Sequence, residues 1–244
     1  MDVVQAMSDC GIIYYTDNKI CKTLVYEMAQ RFIQESGLPI VSCSLKPIDF
    51  GKNIVLEGLK RSYMTMVLQI IAALEDSTTK YVFFCEHDVL YHESHFDFTP
   101  PTDDIYYYNV HNWRWLYPQD YLITYNELTS LSGMCCNRRL ALRHYQYRLN
   151  HIEEFELYKI LGREPKWARK LGYEPGTKKR RRGGMTDEDH IKVRSEFPNI
   201  DIRHSKTFSA PKVHQEDFNN PPTDWRRAGM DEIPGWNLRE LFSL

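Results

Sequence analysis

None of the six cysteines (Cys10, Cys21, Cys43, Cys85, Cys135 and Cys136) is spaced as a C-x-x-C pair, which argues against a structural zinc site. Several lie in apolar runs, where a free thiol behaves as a small buried hydrophobe, so the chain reads as one from a reducing, cytoplasmic setting. The N-terminus carries no apolar signal core. No run approaches the ~20 apolar residues of a transmembrane segment. A strong excess of either charge is missing too. Thirty-one Lys and Arg against 33 Asp and Glu leave a net charge of −2, so the chain is no polycation and any basic surface must be local. The sequence has no P-loop, no G-x-G-x-x-G, no Ser-His-Asp pattern and no internal repeat.

What is present suffices for a folded body. The chain has 244 residues, 42% of them hydrophobic, enough to bury a core without staples. "GIIYYTDNK" (11–19) reads as a buried strand. Ile20, Leu24, Val25, Met28 and Phe32 mark a helical stripe stopped by Gly37 and Pro39. "PIVSCSL" (39–45) is a second strand. A Gly-containing loop follows, then a helix marked by Tyr63, Met64, Val67, Leu68, Ile71 and Leu74, and the strand "KYVFFC" (80–85). This order predicts an α/β fold with a mixed, mostly parallel sheet flanked by helices and an elaborated C-terminal region. We expect one domain over 1–244, with 1–100 as a ligand-binding half and 101–244 as a second half with a C-terminal tail.

Beyond Pro100-Pro101, "DIYYYNV" and "YLITY" read as strands in an antiparallel arrangement. "LSGMCCNRRLALRHY" reads as a turn feeding a helix that runs to about Leu161. The stretch 163–184 reads as a basic loop, "MTDEDHIKVRSEF" (185–197) as a helix with acids in its first turn, and "NIDIRH" (199–204) as a late strand. The tail, with Trp225 and Trp236, reads as irregular.

The chemistry gathers where strands end. Ligands of open α/β sheets bind beyond the carboxyl ends of the strands, and both Thr16-Asp17 and Glu86-His87-Asp88 lie at such ends. Strand alternation continued past Cys85 would put Glu86 and Asp88 on one side, where two carboxylates can hold a hard divalent cation and, through it, a diphosphate. The plainer reading is a solvated acidic turn.

The block "GLKRSYMTMVLQIIAALEDSTTKYVFFCEHDVLY" (58–91) resembles the nucleotide-sugar glycosyltransferases of the GT-A fold, family-2-like. In these a helix leads into an apolar strand ending in a D-x-D motif. Here Glu86-His87-Asp88 stands in that place, with Glu for the first Asp. The resemblance covers roughly the first 140 residues. It implies a nucleoside-diphosphate sugar donor and Mn2+ or Mg2+ as cofactor. Metal ligands would be Asp88, Glu86 and a late histidine, His204, with His214 as its competitor. Thr16, Asp17, Arg61, Glu86 and Gly133 would lie at the nucleotide sugar. Asp189 would be the base that takes the acceptor hydroxyl's proton, with Glu188 and Asp187 as fallbacks.

The acceptor is less defined. Lys178, Lys179, Arg180, Arg181 and Arg182 form an unbroken basic run. It is either a solvated loop or a grip on a polyanionic acceptor such as nucleic acid carrying a hydroxylated base. Trp113 and Trp115 are the aromatic candidates for stacking. Two other function classes stand beside the transferase. One is a metal-dependent hydrolase built from His87, Asp88, His92, His95 and His111, although their spacing matches no recognised zinc motif. The other is a non-catalytic nucleic-acid-binding module using 178–182.

Overall fold

The computed structural model of the chain describes residues 9–20, 23–125, 129–154, 174–176, 190–204, 214–218, 222 and 224–243. In chain order it contains β1 (Cys10–Thr16), α1 (Leu24–Glu35), β2 (Ile40–Ser44), β3 (Lys52–Val55), α2 (Tyr63–Asp76), β4 (Tyr81–Glu86) and β5 (Val89–Leu90). These are followed by β6 (Tyr106–Asn109), β7 (Asn112–Leu116), β8 (Tyr121–Thr124), β9 (Met134–Asn137), α3 (Arg138–Glu154), β10 (His190–Val193), β11 (Asn199–Arg203), β12 (Arg226–Gly229) and α4 (Leu238–Leu241).

Seven strands form the main sheet in the order β10-β6-β9-β4-β1-β2-β3, and five form a second sheet, β12-β8-β7-β11-β5. In the main sheet β9 runs antiparallel to both of its neighbours and every other pairing is parallel. This is the mixed, mostly parallel sheet flanked by helices that the strand–helix alternation predicts.

The central strands β1, β4, β6 and β9 are buried nearly end to end because both of their faces are covered. Alternation then sorts the side chains into two cores. Ile12, Tyr14, Phe83 and Cys85 face α1 and the second sheet, packing with Ala29, Ile33, Trp115, Ile200 and Ile202. Ile13, Tyr15, Val82 and Phe84 face α2 and α3, packing with Val67, Ile70, Leu74 and Tyr145. The helix α1 starts at Thr23, whose hydroxyl accepts from the Tyr26 N–H at 3.3 Å. The helix α2 starts at Ser62, whose hydroxyl accepts from the Thr65 N–H at 3.0 Å. Both are side-chain caps of orphan helix donors. Gly11 is required by crowding: a Cβ there would stand 2.6 Å from the Thr79 hydroxyl.

Several expectations are corrected. The Gly-containing loop after residue 50 holds β3, the outermost strand beyond β2. "MCCN" forms β9 before α3 begins, because the slot between β4 and β6 takes a strand buried on both faces. The expected end of that helix near Leu161 lies outside the described residues. His190–Val193 is a strand paired in parallel with β6; a free sheet edge outweighed the local helix signal. The strands "YYYN" and "YLIT" belong to different sheets, since β7 intervenes and pairs with β8. The tail is more regular than expected. It supplies β12, and Trp236 is anchored by its indole N–H to the Pro198 carbonyl at 2.6 Å. Both sheets take strands from either side of residue 100.

Five described cysteines are buried free thiols. Among the described residues, no helix is long and apolar enough to cross a membrane.

One buried group predicts a pH response. His144 packs edge-on against Tyr106 and Tyr145. Burial, reinforced by the Arg148 charge, pushes its pKa from 6.5 down to about 3. The unfolded chain therefore binds a proton that the folded chain refuses, and stability falls as pH drops through the window from 6.5 towards 3. His144→Phe keeps the ring packing and removes the titration. Urea unfolding at pH 7 and pH 5 should show a smaller acid loss for the variant than for the parent; equal losses would contradict the assignment.

Candidate functional site

The parallel pairing of β1 with β4 sets Tyr15 beside Glu86, so the two strand ends open into one cavity. Its wall includes Thr16, Asp17, Arg61, Ser62, Gln69, Glu86, His87, Asp88, Ser130, Ser132, Asp201 and Arg203. Five of the residues singled out from the sequence (Thr16, Asp17, Arg61, Glu86 and Asp88) thus share one crevice.

On one side, Arg61 and Asp17 form an ion pair at 2.7 Å. Asp17 also accepts from the Lys19 N–H at 3.0 Å, and the Thr16 hydroxyl accepts from the Asn18 N–H at 3.1 Å. Together these hold the turn after β1 in place. Ser62, Thr65, Met66 and Gln69 of α2 face the cavity in helical register. The floor depends on Gln69. Its amide donates to the Thr16 carbonyl at 2.8 Å and the Cys43 carbonyl at 3.2 Å. It thereby satisfies groups at the ends of β1 and β2 that would each cost about 1–3 kcal/mol if buried unpaired.

On the other side, the chain leaves β4 at Glu86 and turns, so strand alternation does not carry through to Asp88. Glu86 turns back to the sheet. The Tyr15 hydroxyl donates to its carboxylate at 2.6 Å, and its own N–H donates to the Tyr91 hydroxyl at 3.0 Å. Burial and the neighbouring Asp88 charge push its pKa up to about 8, against the opposing pull of the Tyr15 hydrogen bond and Arg203.

Asp88 sits where β5 pairs antiparallel with β11. The Ile202 N–H donates to the Asp88 carbonyl at 2.8 Å, which carries the end of β11, Arg203 and His204, over the turn. The His204 Nε2 lies 3.4 Å from Asp88 Oδ2. Burial raises the Asp88 pKa, but His87, His204 and Arg203 outweigh it and hold the carboxyl below its ordinary value.

His87, Asp88 and His204 each offer one ligand atom, and these atoms all lie within 4.8 Å of one another. The set fits a divalent cation. His87 Nδ1 is buried without a hydrogen-bond partner, and two imidazoles with a carboxylate are an ordinary donor set for such an ion. Glu86 is not in this group.

Arg203 and Asp201 are site residues that sequence reasoning missed. The Arg203 guanidinium donates to Asp201, which also lies 3.8 Å from Arg114. Their place over the cavity follows from the register of β11 against β5 and β7, which no local pattern announces.

Other expected residues lie elsewhere. Gly133 sits behind the Ser130–Ser132 wall and lines a separate cavity; a Cβ there would meet the Asn109 carbonyl at 2.6 Å. Trp113 is half-exposed on β7, with the Arg226 guanidinium 5.9 Å from its ring centre, away from the cavity. Trp115 is a core residue, wholly buried against Tyr117 and Phe242, so the stacking role considered for it does not hold. Asp187, Glu188, Asp189 and the basic run 178–182 lie outside the described residues. His214 begins a short 3-10 turn at the surface.

Of the histidines close to Asp88 in sequence, only His87 joins it; the three that follow are engaged elsewhere. His92 Nδ1 is paired with Ser94, His95 Nδ1 with Asn109 and Asn199, and His111 Nδ1 with the Ser195 carbonyl. This separation removes the sequence-neighbour basis of the hydrolase reading.

No protein-family model matches the chain, and no curated protein matches it in sequence. Among solved structures, a glycosyltransferase involved in the glycosylation of the major capsid of PBCV-1 is 12% identical. It aligns over 82% of this chain and 94% of its own, with a TM-score of 0.44. The bifunctional IspDF from Campylobacter jejuni is 10% identical over 78% of this chain and half of its own, with a TM-score of 0.37. Neither superposition is close enough to bear on what this chain does.

Proposed function

We propose that the chain is a metal-dependent glycosyltransferase that moves a sugar from a nucleoside-diphosphate sugar to a hydroxyl acceptor. The supporting observation is the joining of two separate strand ends in one cavity, with the Asp17–Arg61 pair on one side and the His87, Asp88 and His204 group on the other.

Asp17 and Thr16 suit the hydrogen-bond donors of a base or ribose. Arg61 and the N-terminal turn of α2 suit the diphosphate, because a helix N-terminus and a guanidinium both favour anionic oxygens. Asp88 and His204 would hold the cation, which as a Lewis acid neutralises charge on the departing diphosphate. Arg203, fixed by Asp201, adds a permanent positive charge facing the same cavity. Glu86, bound to the Tyr15 hydroxyl, braces the wall from which Asp88 projects.

Asp189 is the proposed base for the acceptor hydroxyl, with Glu188 beside it. The basic run 178–182 just ahead of it favours a polyanionic acceptor, nucleic acid with a hydroxylated base among them. Exposed Arg226 and Arg227 on β12 are further cations available to such an acceptor.

A thermal-shift panel of UDP-, GDP-, CMP- and TDP-sugars, each with and without Mn2+, identifies the donor by mass action. One nucleotide sugar should stabilise the protein with the cation present, and Asp88→Ala should abolish both that shift and sugar-nucleotide turnover while the variant still folds. Full activity in Asp88→Ala would refute the site. Asp189→Asn should keep the donor-induced shift and stop transfer; undiminished transfer would rule Asp189 out as the base.

A further inference from the structure

The sequence pattern makes Glu86 and Asp88 the oxygen ligands and leaves His87 as the spacer between them. The structure groups the residues differently. Glu86 is held by Tyr15, while His87 joins Asp88 and His204. The reason is the turn at the end of β4: outside a strand, residues i and i+2 no longer share a side.

The geometry suits direct coordination. With metal–ligand bonds of about 2.1 Å, the edge of a tetrahedral site is about 3.4 Å. The Asp88–His204 separation is 3.4 Å, so this edge needs no rearrangement. His87 Nδ1 is a buried polar atom without a hydrogen-bond partner, a state that costs free energy unless something else satisfies it. Neutral imidazole nitrogen suits first-row transition cations, Zn2+ and Fe2+ more strongly than Mn2+, which lies lowest in that series. Magnesium prefers octahedral oxygen and keeps its waters.

Resting on the metal-site reading above, we infer that His87, Asp88 and His204 form a three-ligand site. It binds a transition-series divalent cation before any nucleotide arrives and discriminates against Mg2+. A set of three protein ligands leaves coordination positions open on the cavity side, where diphosphate oxygens would enter. Both imidazoles contribute to selectivity, and His87 is the ligand that a reading of Glu86-x-Asp88 as the oxygen pair leaves out.

The test uses the full chain, stripped of metal by a chelator and titrated in the absence of any nucleotide. Co2+ provides a visible absorption band that reports nitrogen and oxygen coordination, and calorimetry gives affinities for Mn2+, Zn2+ and Mg2+. The expected result is one cation per chain, with Mg2+ weaker than Mn2+ by about tenfold or more. Loss of an outer partner of a ligand already costs ~10–100-fold in metal affinity, so His87→Asn should cost at least that much and change the Co2+ band. His92→Asn, outside the site, should change neither. Equal Mg2+ and Mn2+ affinity, an unaltered His87→Asn titration, or binding seen only with nucleotide present would overturn the inference. The two readings fail separately. Selective metal binding without any sugar-nucleotide effect keeps this site and removes the transferase. A donor-induced shift in a protein that binds no cation alone keeps the transferase and removes this site.

Discussion

The parallel pairing of β1 with β4 is the contact on which the rest of the site depends. It brings Tyr15 beside Glu86, and the turns carrying Asp17 and Asp88 emerge together from those two strand ends. A slip of one residue would turn Ile13 and Val82 from one core to the other. That cost is large because these side chains are fully buried. The hydrophobic cores on the two faces of the sheet therefore fix the position of charged residues that contribute nothing to those cores themselves.

The second constraint is electrostatic. Asp17, Glu86, Asp88 and Asp201 are crowded around one cavity with Arg61 and Arg203. Half-buried ion pairs are poor sources of net stability, because desolvation offsets most of the attraction. Their arrangement is better understood through what it can receive. Burial, with the neighbouring Asp88 charge, pushes the Glu86 carboxyl up to about 8, so the β4 side accommodates a second negative charge poorly. A cation bound beside Asp88 would favour the charged form of both carboxyls. The Arg61 side, at the N-terminus of α2, is the complementary place for anionic oxygens.

Much of this was legible in the sequence, for reasons that are local. Continuous apolar runs such as "YVFFC" and helical stripes such as Tyr63, Val67 and Leu74 reveal parallel strands and their covering helices. The strand-end rule then points to Thr16-Asp17 and to Glu86–Asp88. What stayed hidden depends on pairings between distant segments. β9 is only four residues long and has a weak signal, and becomes a strand because the sheet has a slot for it. Arg203 and Asp201 reach the cavity through the register of β11 with β5 and β7. Glu86 and His87 exchanged their expected places because a turn, not an extended strand, follows Glu86. Trp115 resembled an exposed stacking residue, yet its position opposite Leu122 and Ile202 puts it in the core.

The most direct measurement of the central claim is a crystal structure of the chain soaked with the stabilising nucleoside-diphosphate sugar and Mn2+. Nucleotide density is expected between Asp17 and Arg61, with an anomalous manganese peak bounded by His87, Asp88 and His204 and touching the diphosphate. A nucleotide bound elsewhere, or a manganese peak away from Asp88, would contradict it.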